Sequence, residues 1–445
     1  MKSLSNCITF GHRSIFRPLV LMGMSLAASM LLGACSPRST APFETVVADQ
    51  PVPERVVVFV PGFKGTVLQS AAEETTIWFT TPDALWGRQT LGMDNPALDV
   101  EGAIAVEPHG VLHSVPVLPP FFRYNAYGKC LDFLQRTYSA DAVFAMPYDW
   151  RDSNLKAVAK LDRLVQSLRT RGAQRIDLVA HSMGALLTAY YLRYGTQDPR
   201  DAEETWEGAQ YVDHVATIGA PFRGTMVIFR DMLRGTVQVL NPKILDREAL
   251  SSFPSSYQLL PMPGSARLLD QSLNPLPDPL FDPRQWNRNA WGLLERADMT
   301  SDLRTRRYEY VAEQLALAAS FLTRVNAPRR ANPIFARRLL NIVGEGNDTQ
   351  AAAIYFPEVP QQLLFTKADM SRTLPGVDPS LLFADGDGIV TIESALLPAA
   401  YREAYQVTEI RSHENHADLC AGGDIAGELA TFLNESTIEP AQTRD

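Results

Sequence analysis

The stretch Ile176-Asp177-Leu178-Val179-Ala180-His181-Ser182-Met183-Gly184 constrains this chain more than any other. Its first half is a short, largely apolar run, the look of a strand buried on both faces of a parallel sheet. A serine follows between small neighbours, and a helical stretch then runs to about Tyr194. So sharp a strand-to-helix turn leaves no room for bulk beside the serine, which it lifts above the sheet edge at a helix N-terminus. Ala180 stands where the commoner form of this nucleophile elbow has glycine. A serine hydroxyl is too weakly acidic to attack an ester unaided, so Ser182 needs a base within hydrogen-bond reach. In folds with such an elbow the acid and then the histidine follow the serine in the chain.

The flanking pattern agrees. Arg55–Val60 is apolar and β-branched and stops at Pro61-Gly62, a second apolar run covers 142–146, and His214–Ile218 closes at Gly219-Ala220-Pro221. Leu155, Val158, Leu161, Val165 and Leu168 recur at helical spacing, with Gly172 just past the end. Alternating strands and helices with right-handed crossovers predict a mostly parallel, doubly wound α/β sheet, and the serine elbow makes an α/β-hydrolase fold the expectation. From 226 to 338 strand signals vanish, prolines cluster between Pro254 and Pro283, and a helical stretch covers 307–324, which reads as an inserted cap or lid. Sheet character resumes at 339–343. A last strand near 405–410 and a helix near 425–432 complete the pattern. The expected organisation is a core of 54–225 and 339–435, a cap of 226–338 and a tail of 436–445.

Acid and base come from two loops. Asp385 and Asp387 sit in Ala384-Asp385-Gly386-Asp387-Gly388, and His413 and His416 follow. Of the seven histidines, these are the two that lie downstream of the acid loop. The Asp-Gly-Asp-Gly run lacks the further ligands, closing glutamate and flanking helices of a calcium loop. A carboxylate there would hold the histidine in the right tautomer as it takes the serine proton. The oxyanion of the reaction needs two main-chain N–H groups. Met183 supplies one by its place after the serine, and Phe63, in Pro61-Gly62-Phe63-Lys64-Gly65, is the candidate for the other. No metal or organic cofactor is indicated.

Composition narrows the partners. With 41 Lys+Arg against 50 Asp+Glu, the net charge of −9 argues against a nucleic acid bound through its phosphates. The N-terminus reads as an address: Lys2, Arg13 and Arg17 precede an apolar run from Leu19 to Leu32, too short to span a bilayer. It ends in Leu32-Gly33-Ala34-Cys35, which resembles the lipobox of bacterial lipoproteins. That resemblance implies a signal peptide of 1–34, lipidation of Cys35, and a tether of 35–53. Ser36, where an aspartate would signal inner-membrane retention, favours the outer membrane of the cell envelope, on its periplasmic face or surface.

In order along the chain stand Val60-Pro61-Gly62-Phe63-Lys64-Gly65, Pro147-Tyr148-Asp149-Trp150-Arg151, Ala180-His181-Ser182-Met183-Gly184 and Gly219-Ala220-Pro221-Phe222-Arg223-Gly224-Thr225. Phe253-Pro254-Ser255-Ser256-Tyr257-Gln258-Leu259-Leu260-Pro261, Gly386-Asp387-Gly388-Ile389-Val390 and the His416 segment follow. This set resembles the lecithin:cholesterol acyltransferase family, which includes lysosomal phospholipase A2 and the phospholipid:diacylglycerol acyltransferases. The resemblance implies Asp387 rather than Asp385 as acid, His416 rather than His413 as base, and Phe63 and Met183 as oxyanion donors. It also implies a lid-like place for Trp78, either against an acyl chain or as a buried core residue. Asp149 and Arg151 read as a charged pair bracing the cap, with a catalytic role as the lesser alternative. The chain departs from the eukaryotic members in having no cysteine between Cys35 and Cys130, so their lid disulfide is missing. Cys130 and Cys420 are left as a disulfide or as two buried thiols.

The expectation is a serine O-acyltransferase or lipase working through an acyl-enzyme at Ser182, with a membrane lipid as donor and water or an alcohol as acceptor. A soluble-substrate esterase, a glycolipid deacylase and a non-catalytic lipoprotein with this fold are the alternatives.

Overall fold

The computed structural model describes residues 50–435, apart from 79–88, 119–121, 237–240, 242, 278–279, 296, 331–334, 336, 357–362 and 421. The expected signal peptide, Cys35 and the tail of 436–445 therefore lie outside the described residues. Six strands build the central sheet: β1 (Arg55–Val60), β2 (Val143–Ala145), β3 (Arg175–His181), β4 (His214–Ile218), β5 (Arg338–Gly344) and β6 (Gln406–Ser412). Their order is β6-β5-β4-β3-β1-β2, and every pairing is parallel. The chain leaves β1 toward one edge and β3 toward the other, so a crevice opens beyond the carboxyl ends of these two strands, where α/β sheets hold their ligands. Val60 is opposite Ala180 in the register, and Ala180 is opposite Thr217. The loop after β1 and the turn after β3 are thereby neighbours.

The continuous apolar runs are buried as parallel strands require: five of the six residues of β1 and all of β4 are inaccessible. Asp177 interrupts the run of β3 and is fully buried. Its carboxylate accepts from the Arg55 guanidinium at 2.9 Å, the Tyr138 hydroxyl at 2.7 Å and His214 Nδ1 at 2.8 Å. Burial pushes this carboxyl up, but the His214 hydrogen bond and the Arg55 charge outweigh it and hold the group below its ordinary value.

Helix α1 (Gly128–Thr137) precedes β2, α2 (Asn154–Thr170) links β2 to β3, and α3 (Met183–Tyr194) leaves the serine turn. The Ser153 hydroxyl caps α2 by accepting from the Leu155 N–H, and Val158, Leu161, Val165 and Leu168 form its buried stripe. Between β1 and α1 lie antiparallel strands that the periodicity does not announce. Thr66–Ser70 pairs with Thr76–Trp78 and Val106–Val111, and Ser114–Leu118 pairs with Phe122–Asn125. Each of these pairings carries a register irregularity.

Between β4 and β5 the described chain is mostly helical, with α4 (Ser301–Asn326) its longest element. Tyr190 of α3 stacks on Phe321 of α4 with centroids 4.9 Å apart. One short strand, Arg267–Leu269, does occur there and pairs with Ala352–Tyr355 from the segment between β5 and β6. Two distant stretches of chain thus share one small sheet outside the central one.

The segment Pro147–Arg151 ties this insertion to the core. The Tyr148 hydroxyl donates to the Pro61 carbonyl at 2.8 Å, and Trp150 Nε1 donates to the Thr66 carbonyl at 3.1 Å. Arg151 pairs with Asp149 at 2.8 Å and donates to the Leu91 carbonyl at 2.9 Å. In turn the Ser255 hydroxyl donates to the Trp150 carbonyl at 2.7 Å, and its N–H to that of Arg151. The pair reads as a brace, reaching from the loop after β1 to the root of the insertion.

Candidate active site

Ser182 is the hinge residue of the turn, with φ 54° and ψ −126°. A non-glycine residue held there stores on the order of 1–3 kcal/mol of strain, which marks functional positions more often than structural ones. The turn closes so tightly that a β-carbon on Gly184 would collide with the Val60 carbonyl. On the other side, one on Gly62 would stand 2.7 Å from Ser182 Cβ. The loop after β1 therefore lies against the serine.

His416 Nε2 is 2.9 Å from Ser182 Oγ, and its Nδ1 is 2.7 Å from Asp387 Oδ2. The second carboxylate oxygen accepts from the N–H groups of Ile389 at 2.9 Å and Val390 at 2.7 Å, and the His416 N–H donates to the Asp387 carbonyl. Burial raises the Asp387 carboxyl, but the His416 charge, its hydrogen bond and these main-chain donors win and keep it ionised below the usual carboxylate range. With a carboxylate at Nδ1, the neutral imidazole carries its proton there and turns a bare Nε2 toward the serine. Such a set can draw a proton from the Ser182 hydroxyl.

The structure brings together Ser182, His416 and Asp387 and leaves Asp385 and His413 elsewhere. Asp385 pairs across strands with Asp348 and accepts from the Gly346 N–H. His413 is 82% exposed and 3.8 Å from Glu345. The Met183 N–H is an orphan donor of the first turn of α3, and that of Phe63 has no acceptor among the described residues. Trp78 is 5% exposed, with Nε1 on the Lys64 carbonyl at 2.9 Å and its ring edge-on to Trp150. Cys130 and Cys420 form a disulfide, with Cα atoms 5.6 Å apart. Among the described residues no group of three or more His, Cys, Asp or Glu side chains is placed to hold a metal.

Three participants escape the sequence reading. Gly344, ending β5, has no side chain because one would collide with Asp387 Cβ; its place at a strand end is the available signal. Tyr127 sits between loop and elbow, its hydroxyl 2.9 Å from the Gly62 N–H and 2.9 Å from His181 Nδ1. His181 Nε2 lies 2.9 Å from the His416 carbonyl. Burial first, and then the neighbouring His416 charge, lower the His181 ring to about 3, so it is neutral at ordinary pH.

The family model for lecithin:cholesterol acyltransferase matches residues 120–275. The dog "Lysosomal phospholipase A and acyltransferase" is 22% identical over 306 residues, covering 65% of this chain and 62% of its own length. The Arabidopsis thaliana "Lecithin-cholesterol acyltransferase-like 4" is 23% identical over 389 residues, 76% of this chain and 69% of that one. Among solved structures, that of the Tle4-Tli4 complex aligns at TM-score 0.51 and 14% identity over 85% of this chain and 98% of its own, a likeness of fold alone. The fold is that of the α/β hydrolases. The matched segment holds the serine elbow, the Pro-Tyr-Asp-Trp-Arg brace and the Phe-Pro-Ser motif, and over it the chain is similar to the lecithin:cholesterol acyltransferase family.

Proposed function

We propose that the chain is a serine-dependent acyl hydrolase or acyltransferase acting on ester lipids. Ser182 Oγ attacks the ester carbonyl while His416 Nε2 takes its proton, and Asp387 stabilises the imidazolium that forms. The oxygen of the tetrahedral intermediate is held by the N–H groups of Phe63 and Met183. His416 then protonates the leaving alcohol, giving an acyl-Ser182 that water or a second alcohol resolves by the reverse sequence. The observation that carries this reading is the unbroken hydrogen-bond line from Asp387 through His416 to a strained serine. Ester lipids are favoured as substrates by the two relatives, one a lysosomal phospholipase A and acyltransferase and the other lecithin-cholesterol acyltransferase-like. Transfer outcompetes hydrolysis where the site binds and orients the acceptor, since effective molarities of ~10^5 M are attainable in oriented reactions.

A fluorophosphonate probe is expected to label the protein at Ser182 and to leave Ser182→Ala unlabelled. Incubation with phosphatidylcholine carrying a labelled acyl chain, with and without a long-chain alcohol, then separates free fatty acid from new ester. Absence of labelling together with absence of any acyl product sinks the proposal. Anchoring at Cys35 would put the site within a tether's length of such lipids. The full chain expressed in a Gram-negative host is expected in the outer-membrane fraction, and Cys35→Ser in the soluble one; identical fractionation removes the anchor.

A further inference from the structure

Deepening that reading, and resting on it, we propose that Tyr127 and His181 are positioning residues that join the oxyanion loop to the catalytic histidine through a hydrogen-bond relay of fixed direction. The direction follows from the partners. The His416 carbonyl can only accept, so His181 Nε2 carries a proton and donates it across 2.9 Å. In the neutral ring Nδ1 is then a bare acceptor, and the facing Tyr127 hydroxyl must donate to it. The phenol oxygen accepts from the Gly62 N–H. The line therefore runs from Gly62, through Tyr127 and His181, to the main chain of His416.

Both ends of this line touch the reacting groups. Gly62 precedes Phe63, whose N–H faces the developing oxyanion, and the His416 carbonyl belongs to the residue whose ring takes the serine proton. The other main-chain group of His416, its N–H, is bound to the Asp387 carbonyl. The histidine backbone is thus held from both sides, once by the acid loop and once by the elbow. The relay is also sealed. Tyr127 is 6% and His181 4% exposed, and their rings meet edge-on at 5.5 Å. A protonated His181 would turn an N–H against the Tyr127 oxygen and face the His416 ring, 4.8 Å away, with a like charge during turnover. Burial keeps the His181 ring neutral at ordinary pH, so the direction does not reverse while the base cycles.

Donor-specific variants test the relay. Glutamine at 181 keeps an N–H at the position of Nε2, whereas asparagine keeps an acceptor for Tyr127 and cannot reach His416. Tyr127→Phe keeps the ring and removes the hydroxyl. A misplacement of about 1 Å costs ~10^2-fold in rate, so His181→Asn and Tyr127→Phe are expected to lower kcat ~10- to 100-fold with KM little changed. His181→Gln recovers most of the loss seen in His181→Asn, and the Tyr127→Phe/His181→Asn double falls no further than the worse single, as members of one line should. Thermal unfolding is followed alongside, and the rate of fluorophosphonate labelling gives a second readout independent of substrate. Wild-type kcat and labelling rate in Tyr127→Phe, or equal impairment of the Gln and Asn variants at 181, overturns the relay. If the wild-type chain itself neither labels nor turns over an ester, the catalytic reading falls and takes the relay with it. An active wild type with unaffected relay variants removes the relay alone.

Discussion

Asparagine at 387 is expected to lower kcat by about 10^4-fold while the protein still folds. The carboxamide oxygen can keep the donors from Ile389 and Val390, which now bind Oδ1. Its amide nitrogen then faces His416 Nδ1, where the carboxylate oxygen lies at 2.7 Å. Two donors cannot share that contact, so the ring moves its proton to Nε2 and presents an N–H to Ser182 instead of a lone pair. The base is lost although every atom keeps its place. Ser182→Ala on top of Asp387→Asn is expected to cost little more than Ser182→Ala alone, since groups that act as a unit are far from additive. Asp385→Asn, two residues away but facing Asp348, is expected within a few-fold of wild type. A single-turnover assay on a p-nitrophenyl ester reads all of these. Activity within tenfold of wild type in Asp387→Asn, or an equal collapse in Asp385→Asn, would falsify the assignment of the acid.

The second large effect is expected from the disulfide. Cys130 and Cys420 are 1% and 2% exposed and close 290 residues of chain between α1 and the segment just past His416. Losing a native disulfide typically costs on the order of 2–5 kcal/mol. The cost should appear twice. Cys130→Ala/Cys420→Ala is expected to unfold several degrees earlier, which differential scanning calorimetry with and without reductant measures. It is also expected to lose turnover at temperatures where it is still folded, because Cys420 is four residues from His416, the proposed base. An unchanged melting temperature and turnover in the double variant would show that the link is incidental.

Much of the core was legible because its signals are local. β1 and β4 have the bounds that their apolar runs suggest, and α2 starts at its serine cap. The elbow was legible for the same reason, since strand, small residues and helix are contiguous. Choosing between Asp385 and Asp387 was not, because both sit in one glycine-rich loop and spacing treats them alike. Asp385 is the penultimate residue of the strand Phe383–Gly386, where pairing fixes its direction, whereas Asp387 lies beyond the strand end and turns toward β5. The disulfide had no local signal either, with 290 residues between its ends. Nor did the pairing of Arg267–Leu269 with Ala352–Tyr355, whose strands are three and four residues long. Tyr127 carries no signal of its own in the sequence, and its hydroxyl has meaning only once Gly62 and His181 are beside it.

The Pro147–Arg151 brace has a mechanical corollary. Ser255, at the root of the insertion, hangs on the carbonyls of Trp150 and Arg151, and Tyr148 of the same pentapeptide grips Pro61. Any rocking of the helical superstructure would be handed by this short lever to the turn bearing Phe63, bypassing the rigid sheet.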